Sequence, residues 1–299
     1  MRTIIICGAT ATGKSDLAVA LALEIGAEIV NADSMQVYEG MDIGTAKLSV
    51  PERKEVPHHL LDVLTVREDS TVAWYQEAAR KVIDEIHSRG KDAIIVGGTG
   101  LYIKAIVDDL NFPDTDPVIR SRLELEAIEH GAAALFARLE KLDPAAALAI
   151  DRANTRRIVR ALEVIEITGK PFTANLPREE SSRYPDAFHF GLSQDRESLD
   201  VRVSARVDHM WEAGFVDEVE GLVITGLREG VTAQKALGYA QILSMLDGRL
   251  TSDEAREETK RVTRQYIRRQ DTWFSRDARL HWLGHYENRL EKILTRLNS

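Results

Sequence analysis

The chain has 299 residues, of which 44% are hydrophobic, and its formal net charge is −9 at pH 7. This length suits one large or two ordinary domains with a sizeable core, and the acidic balance argues mildly against nucleic-acid binding. A single cysteine, Cys7, excludes an internal disulfide and favours a cytoplasmic protein, and the absence of any run of about 18 apolar residues predicts no membrane span.

The first 110 residues alternate strand and helix patterns. Short apolar segments without helical periodicity predict buried parallel strands at 2–8, 28–33, 58–64 and 92–98. Apolar residues then recur at steps of three and four from Val72 to Ile86, which predicts an amphipathic helix ending at Arg89 and Gly90. The pattern indicates an α/β fold, a doubly wound parallel sheet flanked by helices, whose ligands bind beyond the carboxyl ends of the strands.

The character of the chain changes after residue 112. Residues 113–188 carry helical patterns and close on the polar run NLPREESSRYPD, so they predict an all-helical insertion between 1–112 and 189–299. The last segment completes the core. We predict for it strands at 189–194 and 279–283 and helices at 196–213, 235–246, 251–274 and 287–298.

The segment GATATGKS, residues 8–15, follows the first strand and precedes a helix, which is the context of a phosphate-binding P-loop. Gly8 and Gly13 allow the tight backbone path, the loop amides and Lys14 bind phosphate oxygens, and the Ser15 hydroxyl suits Mg²⁺. The motif leaves open whether the phosphate belongs to ATP, to another nucleotide or to a diphosphate.

Two further strand ends meet the P-loop. The second strand ends at Asp33 and the fourth ends in Gly97-Gly98-Thr99, so Asp33 and Thr99 should flank the bound phosphates. Asp33 is then a ligand of Mg²⁺ through water, a general base, or a cap of the next helix.

The strand at 92–98 ends in glycines, whereas many P-loop kinases place an aspartate there to organise Mg²⁺. Asp62 lies inside its predicted strand, which leaves Asp33 as the only comparable strand-end acid. This shortage of carboxylates weakens the interpretation as a small-molecule kinase.

Several segments in chain order resemble the tRNA dimethylallyltransferase (isopentenyltransferase) family. They are GATATGKS, NADSMQVYEGMDIGTAK at 31–47, GGTGLY at 97–102, RALEV at 160–164, KALGYAQ at 235–241 and RRQDTWF at 268–274. The resemblance covers nearly the whole chain and is far more specific than the P-loop alone.

The resemblance implies a transfer of the dimethylallyl group from dimethylallyl diphosphate to the exocyclic amine of adenine 37 in tRNA. It implies that the P-loop, with Mg²⁺ on Ser15, holds the diphosphate through Gly8, Ala9, Thr10, Ala11, Thr12, Gly13, Lys14 and Ser15. It also implies that Asp33 is the general base, that Thr99 lies at the reaction centre, and that the target base is contacted by Asp33, Ser34, Met35 and Gln36.

The resemblance further implies contact between the insertion and the anticodon stem-loop. The implied contacts are Arg120, Arg156, Arg157, Ile158, Val159 and Arg160. The chain departs from the family at Ala9, where proline is usual, at Ser15, where threonine is common, and at Arg156, where glutamine is usual. Arginine only donates hydrogen bonds, so Arg156 suits a phosphate better than a base edge.

Two basic segments on an acidic chain fit an RNA substrate. Residues 152–160 carry four arginines and no acid after Asp151, with Arg152, Arg156 and Arg160 at helical steps of four. The alternative is that these arginines pair with Glu163 and Glu166 or face solvent.

The second basic segment, residues 256–279, carries eight Lys or Arg against four acids. Lys260, Arg264 and Arg268 share a predicted helix face that should contact RNA, while the interleaved aromatics Tyr266, Trp273 and Phe274 are expected in the core. Arg206, on the predicted helix 196–213, is a candidate contact for the diphosphate, and the alternative is a surface ion pair.

Three other functions are weighed against tRNA prenylation. Prenylation of free adenine nucleotides would need neither the insertion nor the basic segments, a P-loop small-molecule kinase lacks the strand-end aspartate, and a nucleotide-switched binding protein would need switch segments that the sequence does not show. A monomer suffices for every step.

Overall fold

A computed structural model describes residues 1–175 and 182–299, with only the backbone of 174 and 175. Much of the polar run at 175–186 therefore lies outside the described residues. The described residues form two compact units, one of Met1–Val107 with Tyr184–Ser299 and one of Asp108–Arg183.

The larger unit is built on six parallel strands in the order β3-β2-β4-β1-β5-β6. Their bounds are β1 Thr3–Gly8, β2 Glu28–Asn31, β3 His58–His59, β4 Ala93–Gly97, β5 Phe188–Leu192 and β6 His281–Leu283. The predicted doubly wound parallel sheet is confirmed, and β5 returns to this sheet, where it pairs with β1.

The helices of the larger unit pack on both faces of this sheet and on one another. They are α1 Lys14–Ile25, α2 Val72–Ser88, α3 Gly100–Val107, α8 Arg196–Glu212, α9 Phe215–Thr225, α10 Tyr239–Leu246, α11 Ser252–Phe274 and α12 Arg289–Leu297. Alternation along β1 shows the layering, since Ile4 and Ile6 pack with α1 and α12 while Ile5 and Cys7 pack with α2 and α3. Burial on both faces explains why β1 reads as a continuous apolar run.

The smaller unit contains α4 Pro117–His130, α5 Ala132–Leu142, α6 Pro144–Ala149 and α7 Thr155–Thr168. Its core is a separate apolar cluster that includes Leu123, Leu139 and Leu162. The unit begins at Asp108 and not at residue 113, because Val107 packs in the core of the sheet unit.

Two predicted elements are wrong in extent. The third strand stops at His59, because Leu60 and Asp62 have φ of 61° and 54°, which an extended strand does not allow. Asp62 therefore lies outside the strand, where its carboxylate pairs with Lys47 at 2.5 Å. The helix predicted from 235 begins at Tyr239 instead, because Gly238 has φ of 86°.

Within the described part of the chain, no helix is both long enough and apolar enough to span a bilayer.

Candidate functional site

The P-loop lies between β1 and α1 at the carboxyl end of the sheet. Gly8 has φ of 142°, and a Cβ added there would lie 2.7 Å from the Leu192 carbonyl oxygen of β5. Gly13 has φ of 84° and directly precedes α1, whose first amides have no helical partner. Both glycines are thus required by backbone geometry, and the open amides form an anion site at a helix N-terminus.

Side chains of the P-loop bond within the loop. The Thr12 hydroxyl donates to the Ala9 carbonyl at 2.8 Å, and the Lys14 ammonium donates to the same oxygen at 2.6 Å. Burial lowers the pKa of Lys14 to about 8, although the charge of Asp33 opposes this shift. A half-buried ammonium with one carbonyl partner is poised to bind an anion.

Ala9 and Ala11 enter the site only through their backbone. Their side chains are 2% and 3% exposed and pack against Leu199, Val203 and Ile267 of α8 and α11. Small residues at these positions let the two helices lie close against the loop.

Gln270 of α11 connects the P-loop to the segment after β4. Its side-chain oxygen accepts from the Thr10 amide at 3.0 Å, and its side-chain nitrogen donates to the Gly98 carbonyl at 2.8 Å. Gln270 is only 5% exposed. Sequence reasoning assigned it no role, although a polar residue at helical spacing between the buried Ile267 and Phe274 is a detectable signal.

Asp33 follows β2 and is half-buried in the cleft. One carboxylate oxygen accepts from the Met35 amide at 2.8 Å, and no helix follows Asp33 directly, so a helix-capping role is wrong. Burial raises the pKa of Asp33 above its ordinary value, and the charge of Lys14 opposes the shift. A desolvated carboxylate is a stronger base than one in water.

Thr99 lies beside the segment that follows β2. Its hydroxyl oxygen accepts from the Ser34 amide at 3.2 Å, and its hydroxyl donates to the Ser34 side chain at 3.4 Å. The phenol of Tyr266 lies next to Thr99, and burial raises its pKa to about 12. The predicted convergence of the three strand ends is therefore present, with Tyr266 as an addition that sequence reasoning placed in the core.

The cleft consists of two adjoining cavities. The polar cavity is lined by Gly13, Lys14, Ser15, Asn31, Gln36 and Gly98, and the apolar cavity by Met35, Val203, Val207, Met210, Phe215 and Leu237. Both cavities share Thr10, Asp33, Thr45, Ala46 and Arg206. The polar cavity beside the P-loop thus opens directly onto a hydrocarbon-lined one, with a carboxylate and a guanidinium at their border.

Arg206 of α8 is half-buried and forms no ion pair with any residue that the structure describes. Burial lowers the pKa of its guanidinium, and the charge of Arg202 adds to the effect. The alternative of a surface ion pair is wrong, and an unpaired cation beside Lys14 strengthens the polar cavity as an anion site.

The chemistry of the polar cavity also suits Mg²⁺. Ser15 supplies a hydroxyl in the first turn of α1, and Thr10 and Asp33 add oxygen groups to the same wall. Over residues 1–175 and 182–299 no cluster of three His, Cys, Asp or Glu that could hold a metal ion is present.

The structure separates the predicted RNA contacts of the insertion into three groups. Arg156 and Arg157 of α7 are exposed and have no ion pair among the described residues. Arg120 and Arg160 pair with the fully buried Glu163 at 2.6 and 2.9 Å.

The remaining insertion contacts are not available as predicted. Ile158 and Val159 are 0% and 3% exposed in the core of the unit, so their side chains cannot reach RNA. Arg152 precedes α7 and does not lie on the helix face shared by Arg156 and Arg160.

On α11 the three basic residues predicted to contact RNA also differ in their exposure and their partners. Lys260 is 8% exposed and pairs with Asp208 and Glu257 at 2.6 and 2.8 Å, so its prediction as an RNA contact is not supported. Arg264 donates to the Ser204 hydroxyl at 2.6 Å. Arg268 is exposed, and of the neighbouring aromatics Phe274 is buried while Trp273 is 41% exposed.

Comparisons with known proteins identify the family of this chain. The family described as IPP transferase matches residues 36–277. A tRNA dimethylallyltransferase of Thermobifida fusca is 59% identical over 289 residues, which cover 95% of this chain and 90% of that protein. A tRNA dimethylallyltransferase of Streptomyces griseus is 57% identical with the same coverage of both chains.

Solved structures agree in fold. The full-length tRNA isopentenylpyrophosphate transferase of Bacillus halodurans has a TM-score of 0.73 at 38% identity, covering 99% of this chain and 95% of its own. A eukaryotic dimethylallyltransferase acting on tRNA has a TM-score of 0.83 at 26% identity, covering 100% of this chain and 79% of its own.

Proposed function

This chain belongs to the IPP transferase family and is a tRNA-modifying prenyltransferase, and from that premise we propose how its cleft performs the reaction. The donor is dimethylallyl diphosphate and the acceptor is the exocyclic amine of adenine 37. The carbon–oxygen bond to the diphosphate breaks as the nitrogen–carbon bond forms. The diphosphate leaves with the electron pair, and the amine proton passes to Asp33.

The two cavities divide the donor between them. The polar cavity takes the diphosphate against Lys14, the P-loop amides and Arg206, while the apolar cavity takes the five-carbon chain against Met35, Val203 and neighbouring side chains. Negative charge grows on the diphosphate as it leaves, and fixed amides and cations stabilise it there. The allylic carbon then lies at the border of the cavities.

The carrying observation is the position of Asp33, which lines both cavities. An adenine amine is a poor nucleophile, because its lone pair is delocalised into the ring. A carboxylate that accepts its proton as the new bond forms accelerates such a step by roughly 10²–10⁴-fold. Ser34, Met35 and Gln36, which follow Asp33, are our candidates for contact with the extruded base.

Ser15 would hold Mg²⁺ on the diphosphate, where the ion neutralises part of the leaving-group charge. Arg156, Arg157 and Arg268 are exposed and lack ion pairs among the described residues, so they are the strongest candidates for phosphates of the anticodon stem-loop. We propose that the enzyme acts as a monomer in the cytoplasm, since every group invoked above comes from one chain and the acceptor is a tRNA.

The test is transfer from labelled dimethylallyl diphosphate to unmodified tRNA that carries adenine 37. We expect Asp33→Asn to lower kcat by roughly 10²–10⁴-fold while the Kd for inorganic pyrophosphate stays within about twofold. Asp253→Asn, at an exposed position of α11, is the matched control and should leave both unchanged.

Three results would contradict the proposal. An equal loss of turnover and pyrophosphate affinity in Asp33→Asn would make Asp33 a binding residue and not a base. Transfer to free adenine nucleotides in preference to tRNA would show that tRNA is not the acceptor. ATP-dependent phosphorylation of a metabolite without prenyl transfer would favour the kinase.

A further inference from the structure

The segment Met41–Lys47, here called the rim loop, borders both cavities. Thr45 and Ala46 line the polar and apolar cavities, and Gly44 lines the apolar one. The rim loop contains neither helix nor strand, and Ala46 has φ of 51°, which costs free energy for a residue with a side chain. Contacts outside the loop must therefore hold it in this conformation.

Glu218 of α9 supplies the main contact. Its carboxylate accepts from three successive amides of the rim loop, those of Asp42 at 3.1 Å, Ile43 at 2.7 Å and Gly44 at 3.3 Å. The hydroxyl of the buried Tyr239 donates to the same carboxylate at 2.6 Å. Four donors converging on one carboxylate form a charge-assisted anchor, stronger than neutral hydrogen bonds.

Packing at Gly44 makes this anchor sensitive to position. A Cβ added to Gly44 would lie 2.2 Å from ring atoms of Phe215 and 2.5 Å from the Tyr239 ring. The rim loop therefore lies directly on the aromatic side chains of α9 and α10, with no space to settle elsewhere. The Glu218 carboxylate therefore holds the backbone amides, and the aromatic rings limit how closely the backbone can approach α9 and α10.

A second anchor ties the last residue of the rim loop to its beginning. The ammonium of Lys47, whose side chain is 2% exposed, contacts the Asp42 and Asp62 carboxylates at 2.6 and 2.5 Å. Loss of Glu218 would therefore release the middle of the rim loop around Gly44 without freeing the whole segment.

The rim loop in turn orients Gln36. The side-chain nitrogen of Gln36 donates to the Thr45 carbonyl at 3.0 Å. Gln36 also lines the polar cavity, three residues after the proposed general base Asp33. We propose that Glu218 is a positioning residue for the acceptor adenine: it holds the rim loop so that the Thr45 carbonyl fixes the Gln36 amide towards the base. This inference rests on the proposed function, in which Gln36 contacts that base.

Glu218→Gln tests this role with little change in shape. A glutamine presents an NH₂ group to the same amides, so it cannot accept from all four donors, and it removes the negative charge. We expect the KM for an unmodified anticodon stem-loop to rise at least about tenfold, because the two donors that face the oxygen replaced by NH₂ lose their acceptor. The Kd for pyrophosphate should stay within about twofold, because no P-loop contact changes.

Glu220→Gln is the matched control, since Glu220 is exposed on the same helix. Tyr239→Phe is a milder variant that removes only one of the four donors, and it should raise the KM for the stem-loop severalfold. It keeps the question answerable if Glu218→Gln does not fold.

The deciding measurement is the pair Gln36→Ala and Glu218→Gln, alone and combined. If Glu218 acts through Gln36, the double variant should be no worse than Gln36→Ala, since coupled residues are not additive. Additive losses, or a fall in pyrophosphate affinity matching the rise in KM, would overturn the inference and leave the proposed function intact. No effect of Gln36→Ala on the stem-loop would instead contradict the proposed role of Gln36, and the inference with it.

Discussion

At the scale of single residues, burial sets the chemistry of the cleft. Burial lowers the pKa of Lys14 and raises that of Asp33, so each charged form is destabilised where the protein holds it. The charges of the two side chains offset part of that cost. In the free protein the Lys14 ammonium contacts only a neutral carbonyl, and a bound diphosphate would give it a negatively charged partner.

This predicts a pH dependence of anion binding. Because the pKa of Lys14 is lowered to about 8, the free protein loses this proton as pH rises through 8, whereas the anion-bound protein keeps it. The Kd for pyrophosphate should therefore rise above pH 8 by up to roughly tenfold per pH unit. Calorimetric titrations from pH 7 to about 9.5 measure the slope.

Substitution of Lys14 provides the control for the ligand's own titration. Lys14→Arg keeps its charge throughout this range and Lys14→Gln has none, so neither should show the added slope, and Lys14→Gln should bind weakly at every pH. Equal slopes in all three proteins would assign the titration to another group.

At the scale of elements, the cleft depends on side chains that join distant segments. Gln270 of α11 joins the loops after β1 and β4, and Arg289 of α12 donates to the Thr12 carbonyl at 2.8 Å and to the Ser193 carbonyl at 2.7 Å. Two helices near the end of the chain thus hold the backbone of a loop near its beginning. Backbone groups held in this way cost no reorganisation when charge develops.

We predict that Gln270→Leu destabilises both the fold and the loop. Leucine leaves the half-buried Thr10 amide and the buried Gly98 carbonyl without their partner, which costs up to about 1–3 kcal/mol for each unsatisfied group. The free energy of unfolding should fall accordingly in urea, and kcat should fall at least tenfold in conditions where the protein is fully folded. Gln265→Leu, at an exposed position of α11, should change neither quantity. A stability loss with unchanged kcat would limit Gln270 to a role in folding.

At the scale of the whole molecule, an acidic protein must bind a polyanion. The net charge of −9 opposes approach of tRNA, so attraction has to come from local cations that have no internal partner. Arg120 and Arg160 already form ion pairs with the buried Glu163, and Lys260 forms ion pairs with Asp208 and Glu257. Arg156 and Arg157 remain exposed.

The double variant Arg156→Ala, Arg157→Ala should therefore weaken binding of the stem-loop and flatten its salt dependence. Loss of two phosphate contacts lowers the slope of log K against log salt by about 1.4–1.8. Arg261→Ala, at an exposed arginine that already pairs with Glu258, is the control and should leave the slope unchanged. An unaltered slope in the double variant would exclude this end of α7 from the RNA surface.

The sequence by itself determined the parallel sheet, the P-loop and the strand ends that carry Asp33 and Thr99. These features follow from local patterns, since apolar runs, glycine spacing and helix periodicity act over a few residues. Local patterns also misled where the backbone turned, as at Leu60 and Asp62. The family resemblance implied RNA contacts for Ile158 and Val159, although their side chains face the core.

Only the tertiary structure decided which groups meet in the cleft. Gln270 lies 260 residues from the amide it holds, and Glu218 lies 174 residues from Gly44. It also decided that Arg206 stays unpaired among the described residues while Lys260 is neutralised, and that the cleft has one polar and one apolar cavity. Burial and pairing depend on neighbours that are far away along the chain, and for that reason no local pattern encodes them.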